Sequence, residues 1–303
     1  MELVFLGTSA GAPTLFRGLP SVALRFDDGS ICLFDCGEGT QRQMMRCDVS
    51  FMDVERILIS HFHCDHHLGL SGLLQTMNLN NRENAVEILG PAGTEELVGN
   101  VLKIGYFRLG FDVKVYELGD GDSFDAGKYK IKTIENNHGR NSLSFCVEEP
   151  IRSGKFNLAR AKELGIPEGP LYRRLQRGET ISLDGRRIEP DTVLGPPRRG
   201  RKVCYSGDTG YFEHLAELAR GSDVLIHEST FSGEESEDAR RYNHSTATDA
   251  AEIARAADVK KLFLTHISAR YGNGKSLESE AKKIFRNTTV AEDFTRYEVK
   301  YAE

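Results

Sequence analysis

The first third of the chain alternates short apolar runs with longer amphipathic ones. Leu3–Leu6, Val22–Phe26 and Ile31–Phe34 have the length and apolar content that predict strands. Gly37–Arg46 predicts a helix, followed by a strand at Arg56–Ser60, a Leu-rich helix at Gly69–Asn78, a strand at Val86–Leu89 and a helix at Gly93–Ile104. Val113–Glu117, Tyr129–Glu135 and Ser142–Glu148 carry period-2 patterning and predict three further strands. The last third resumes the mixture. Strands are expected at Val203–Ser206, Val224–His227, Lys261–Thr265 and Arg296–Tyr301, and helices at His214–Arg220, Ala247–Ala256 and Leu277–Phe285. Strands of this kind interleaved with helices predict an α/β (α+β) fold in layers.

Ile151–Lys202 breaks the rhythm. It holds five of the nine prolines and seven of the 30 glycines, and Gly165-Ile166-Pro167-Glu168-Gly169-Pro170 cannot continue a regular element. Leu171–Gly178 predicts a short basic helix with a glycine stop, and Gly195–Lys202 a stiff basic loop. We therefore expect a single domain over 1–303 with an insert at 151–202 that lacks a core of its own. An insert of that length is usually functional.

Charge sharpens the contrast. The chain carries −6 overall, yet the insert has thirteen Lys/Arg against six Asp/Glu, a local +7, which leaves −13 on the rest. A basic patch on an acidic body is the footprint of nucleic-acid binding; a merely solvated insert is the plain alternative. Hydrophobic content of 39 % and charged content of 28 % fit a soluble globular protein. No apolar run approaches membrane-span length. The start, Met1-Glu2-Leu3-Val4-Phe5, lacks signal-peptide features, so a cytoplasmic location is expected. The cysteines at 32, 36, 47, 64, 146 and 204 lack zinc-ribbon spacing and are expected as free thiols.

The densest chemistry is His61-Phe62-His63-Cys64-Asp65-His66, directly after the strand Arg56–Ser60. Three imidazoles and a carboxylate in six residues suit a divalent metal, zinc above all and manganese or iron less tightly. His61 and His63 can converge on one ion while Asp65 and His66 point to a second. A histidine-rich surface turn is the bland alternative. Distant residues that could complete the set argue against it.

His-x-His-x-Asp-His after a strand resembles the signature of the metallo-β-lactamase superfamily. That resemblance implies a four-layer αββα sandwich with a binuclear site. His61, His63 and His138 would bind one Zn2+, Asp65, His66 and His266 the other, and Asp208 would bridge both, with Mn2+ able to replace zinc. Within the superfamily, Phe5–Pro13 and Phe34–Gln41 are similar to the ribonuclease Z family in its short form, which removes 3′ trailers from tRNA precursors. The basic insert sits where that family carries its tRNA-clamping arm, and His227–Phe231 and His244–Thr246 resemble two of its further motifs.

The resemblance implies a homodimer acting on a tRNA precursor. Asp65 would accept a proton from the attacking water, and His244, oriented by Glu228, would act as general acid. Arg173, Arg174 and Arg177 are the expected phosphate contacts. Plainer roles compete: His244 as a cap of the helix starting near Thr246, Glu228 as a salt-bridge partner, His227 as a buried, hydrogen-bonded histidine. The alternative function is a small-molecule phosphodiesterase or arylsulfatase-like hydrolase with the same metal site, which would not need the arm. Arg17-Gly18 departs from the family pattern, and the sequence offers no physical reading of it.

Overall fold

The computed structural model describes residues 1–105 and 108–301. Two compact units emerge, one of Met1–Val147 with Lys202–Lys300, the other of Glu148–Arg201 with Tyr301.

The larger unit is built on two seven-stranded sheets. The first runs Arg296–Glu298, Glu2–Gly7, Ser21–Arg25, Ile31–Phe34, Val54–Leu58, Val86–Gly90, Val113–Glu117 from edge to edge. The second runs Thr288–Val290, Leu262–Thr265, Val224–Glu228, Lys202–Tyr205, Leu143–Glu148, Lys130–Glu135, Ser123–Asp125. Alternating side chains explain the layering. Leu3, Phe5, Phe34, Leu58, Phe145, Val203, Val224, Ile226 and Phe263 meet in one core between the sheets. Their chain neighbours face outward: Val4, Leu6, Ile57 and Ile59 pack with Leu70, Leu73, Leu74 and Met77 of the helix Gly69–Leu79. Leu225, Leu262 and Leu264 pack with Ala250, Ala251 and Ala254 of the helix Ala247–Ala256. Each sheet is thus apolar on both faces and buried on both, the αββα arrangement. Each fully buried Leu, Ile, Val or Phe contributes about 1.5–3 kcal/mol.

The central strands of each sheet are parallel. Phe34 pairs in register with Leu58 and Leu58 with Leu89; Tyr205 pairs with Ile226 and Glu228 with Thr265. Their carboxyl ends therefore share one edge, and the Leu143 amide donates to Ser60 O (2.9 Å) across the two sheets there. Loops at that edge are where a parallel sheet presents ligands.

The smaller unit overturns one expectation. It has a core, in which Ala161, Ile166, Tyr172, Leu175, Ile181, Ile188 and Val193 bury one another beneath the helices Leu158–Glu163 and Pro170–Gln176. A hairpin, Ile181–Leu183 with Arg186–Ile188, closes it over an Asp184-Gly185 turn with both φ positive (50° and 78°). Asp-Gly between apolar runs is a strong hairpin signal. The proline content obscured it. Arg201 forks onto Glu149 at the root of the unit (Nε to Oε2 2.8 Å, Nη2 to Oε1 2.6 Å). A Cβ on Gly154 would stand 1.8 Å from Gly195 O, so the two stems meet there only because position 154 is glycine.

Candidate metal and active site

His61 follows the strand Val54–Leu58 by three residues, and Asp65 and His66 lie in the short helix Cys64–His67. His138 follows Lys130–Glu135, Asp208 follows Lys202–Tyr205 and His266 follows Leu262–Thr265. Six strand-end and loop positions from both sheets thus converge. Donor atoms of His61, His63, His138 and Asp208 lie within 4.8 Å of one another, as do those of Asp65, His66 and His266. Asp208 Oδ2 stands between the two sets: 3.7 Å from His61 Nε2, 3.9 Å from His138 Nε2, and 3.2 Å from both His66 Nε2 and His266 Nε2.

Hydrogen bonds decide which nitrogen each ring presents. His66 Nδ1 lies 2.7 Å from Asp35 Oδ2, and a carboxylate only accepts, so Nδ1 carries the proton. His138 Nδ1 donates to Asn243 O (2.7 Å) by the same logic. The Ser60 hydroxyl donates to Asp35 Oδ2 (2.9 Å), leaving its oxygen to accept from His61 Nδ1 (3.0 Å). The Thr230 hydroxyl donates to Glu228 Oε2 (2.7 Å) and accepts from His266 Nδ1 (2.8 Å). Four rings therefore turn Nε2 inward, the atom each would offer a metal. His63 brings Nδ1 to 3.1 Å from His138 Nε2.

The donor set fits divalent metal. His61 Nε2, His66 Nε2 and Asp208 Oδ1 are buried without a hydrogen-bond partner, which would be costly unless a cation completes them. Outer residues that fix ring tautomers are the expected companions of such ligands. Burial opposes charge on Asp208, but His266 and His66 hold its carboxyl well below the usual range. Burial opposes charge on Asp65 too, and His266 and His66 again outweigh it. Asp65 Oδ2 also accepts from the Gly11 amide (2.9 Å). Burial drives the His61 imidazole toward its neutral form, the form that ligates. Cys64 is exposed and belongs to neither set.

Glu228 and His244 form a second layer. His244 Nδ1 lies 2.7 Å from Glu228 Oε1, while the Thr209 amide donates to Oε1 (2.9 Å) and the Thr230 amide to Oε2 (3.1 Å). Burial disfavours the His244 cation; Glu228 more than compensates and pushes it up to about 9. Thr246, not His244, caps the helix Ala247–Ala256, through a reciprocal pair with Asp249. His244 is free of that duty and belongs to a third donor group with Asp208 and His266. His227 lies outside these groups, buried with Nδ1 on Glu228 O (2.8 Å).

In the smaller unit, Arg173, Arg174 and Arg177 are all exposed on or just after the helix Pro170–Gln176. Arg174 is engaged by Glu179 (Nε to Oε2 2.9 Å).

Sequence reasoning missed Asp35, Ser60, Thr230 and Tyr205 as supports. Asp35 Oδ2 accepts from Tyr205 Oη (2.7 Å), and Oδ1 accepts from the Ser60 amide (2.7 Å). Its signals were a carboxylate directly after the apolar strand Ile31–Phe34 and its place in the family-like segment Phe34–Gln41. Arg17, unexplained by pattern, is buried. It donates to Thr8 Oγ1 and Ala291 O (both 2.6 Å) and to Asn273 O (3.2 Å), tying the early loop to the segments after His266.

Similar proteins match this chain over nearly their full length. A ribonuclease Z of Archaeoglobus fulgidus is 46 % identical over 100 % of this chain and 99 % of its own length. One of Gemmatimonas aurantiaca is 46 % identical over 99 % and 96 %. The crystal structure of the short form of human tRNase Z superposes with a TM-score of 0.73 at 28 % identity, over 99 % of this chain and 100 % of that one. Family models match parts: the anti-Pycsar protein Apyc1 over residues 1–153, and the β-lactamase superfamily domain over residues 185–267.

Proposed function

The chain belongs to the ribonuclease Z family of the β-lactamase superfamily, and on that premise we propose that it is a metal-dependent endoribonuclease removing 3′ trailers from tRNA precursors. The observation that carries the reading is the pair of donor sets meeting at Asp208, with buried nitrogens that have no hydrogen-bond partner and His244–Glu228 alongside.

In this reading His61, His63 and His138 hold one divalent ion, Asp65, His66 and His266 a second, and Asp208 both; zinc suits the donors, with manganese able to replace it. Bound there, the ions would acidify a water and offset the charge of the scissile phosphate. Asp65 takes the proton of the attacking water. The bond from phosphorus to the 3′-oxygen of the tRNA body breaks, and His244, held charged by Glu228, gives that oxygen its proton. The products are a 3′-hydroxyl tRNA and a 5′-phosphorylated trailer. Arg173, Arg174 and Arg177 serve as phosphate contacts that sense backbone shape and not base identity. A homodimer in the cytoplasm completes the proposal; no helix among the described residues is long and apolar enough to cross a membrane.

The test is incubation with a precursor bearing a 3′ trailer, the cut mapped to the nucleotide. We expect one cut at the end of the tRNA body, lost on chelation and in Asp65→Ala. Hydrolysis of bis(p-nitrophenyl) phosphate without any cut in the RNA would move the substrate to a small diester. Sedimentation at micromolar protein checks the dimer.

A further inference from the structure

A cavity of about 330 Å3 opens beside the reaction centre, and the metal ligands do not use it. Asn137, Gly210 and Asn243 line it, together with His244 itself. Asn137 precedes His138, Gly210 lies two residues after Asp208, and Asn243 precedes His244. Whatever occupies the cavity therefore lies against the reacting atoms. Its floor depends on a close approach: a Cβ at Gly210 would come within 3.1 Å of Asn137 Nδ2.

Two further lining residues have the chemistry of a nucleotide. Arg240, on the helix Ser236–Arg241, is exposed and makes no side-chain hydrogen bond or ion pair among the described residues. A free guanidinium at the mouth of such a cavity is a phosphate ligand in waiting. Tyr211 presents an aromatic ring that is 44 % exposed although it adjoins the buried Asp208–Gly210 turn. An exposed ring beside a cation is how single-stranded RNA is held, base on the ring and phosphate on the charge.

Resting on the ribonuclease reading above, we propose that this cavity binds the nucleotide immediately 5′ of the cut, with its base on Tyr211 and its 5′-phosphate on Arg240. The polarity follows from His244. It protonates the leaving 3′-oxygen, so the cavity it lines lies on the leaving nucleotide's side. Arg240 and Tyr211 are then specificity-determining residues for the terminal nucleotide of the tRNA body.

The test is steady-state cleavage of a trailer-bearing precursor by the wild type, Arg240→Ala, Arg240→Lys, Tyr211→Ala and Tyr211→Phe. Both side chains are exposed, so folding is unaffected. Arg240→Ala should raise KM about tenfold with little change in kcat. It should also flatten the dependence of log KM on log salt by about one unit, and Arg240→Lys should restore the slope. Tyr211→Ala should raise KM by a similar factor, and Tyr211→Phe should not. A precursor made abasic at the nucleotide 5′ of the cut should cost the wild type what Tyr211→Ala costs. The two losses should not add. A wild type that cuts the precursor while both alanine variants keep its KM and salt slope overturns the subsite and leaves the ribonuclease reading standing. Additive losses from the abasic substrate and Tyr211→Ala overturn the stacking role. A wild type that cuts no precursor overturns the ribonuclease reading and the subsite with it.

Discussion

Asp35→Asn tests whether the metal site depends on its outer supports. The carboxylate is fully buried and accepts four hydrogen bonds: from His66 Nδ1, Ser60 Oγ and Tyr205 Oη at Oδ2, and from the Ser60 amide at Oδ1. An asparagine fits the space but has a single accepting oxygen. Its better orientation keeps that oxygen at the Oδ2 position and turns the amide nitrogen toward the Ser60 N–H, donor against donor. One buried amide is orphaned, at about 1–3 kcal/mol. The remaining bonds lose their charge assistance, and His66 Nε2 becomes a weaker, less firmly aimed ligand. Loss of such a support typically reduces metal affinity or activity about 10–100-fold, or roughly 1.4–2.8 kcal/mol. Metal affinity is read by competition against a chromophoric chelator, and activity by titrating metal back into stripped protein. We expect weaker binding, low activity at limiting metal and partial recovery at excess metal. Tyr205→Phe removes one of the three donors at Oδ2 and should cost less. If Asp35→Asn binds metal as tightly as the wild type, the reasoning about His66 is wrong.

Three further outcomes follow from the same geometry. His244 is charged below about 9, so activity should hold at neutral pH and decline as pH rises through that value. Glu228→Gln removes the opposing carboxylate, leaves burial unanswered and should move this alkaline limb to lower pH; an unmoved limb in the pH profile of kcat would remove His244 as the acid. Burial disfavours the His66 cation, but Asp208 and Asp35 raise its pKa well above the ordinary value, so metal must displace a proton there. Metal content after dialysis should therefore fall as pH is lowered, and content independent of pH would contradict a His66 ligand. Leu175 is fully buried in the small core of residues 148–201, so Leu175→Ala should cost about 2–5 kcal/mol locally. Limited proteolysis should then nick that unit at lower protease concentration than in the wild type; equal resistance would mean that the core is not what orders it.

Strand periodicity showed the layers only weakly, the αββα arrangement coming from the family resemblance, while the six-residue histidine motif made four of the seven candidate metal donors legible from sequence. An imidazole-rich turn after an apolar strand has few other uses. His138, Asp208 and His266 could be nominated because the family resemblance calls for one His, one Asp and one His from later loops and each of these follows a strand, yet nothing local says that they face one another. Register decides that. Parallel pairing of Tyr205 with Ile226 and of Glu228 with Thr265 brings the carboxyl ends of these strands to one edge. The supports were less visible still. Asp35 is separated from His66 by 31 residues and Thr230 from His266 by 36, and each acts through a hydrogen bond that exists only after the sheets pack. The same limit hid the insert's core, whose Ile181–Ile188 hairpin was masked by surrounding prolines and arginines. It also hid the role of Arg17, which satisfies carbonyls more than 250 residues away. Local chemistry and periodicity are carried by neighbours in the chain. Ring tautomers, orphaned donors and the cavity beside His244 are carried by neighbours in space, and only the tertiary structure supplies those.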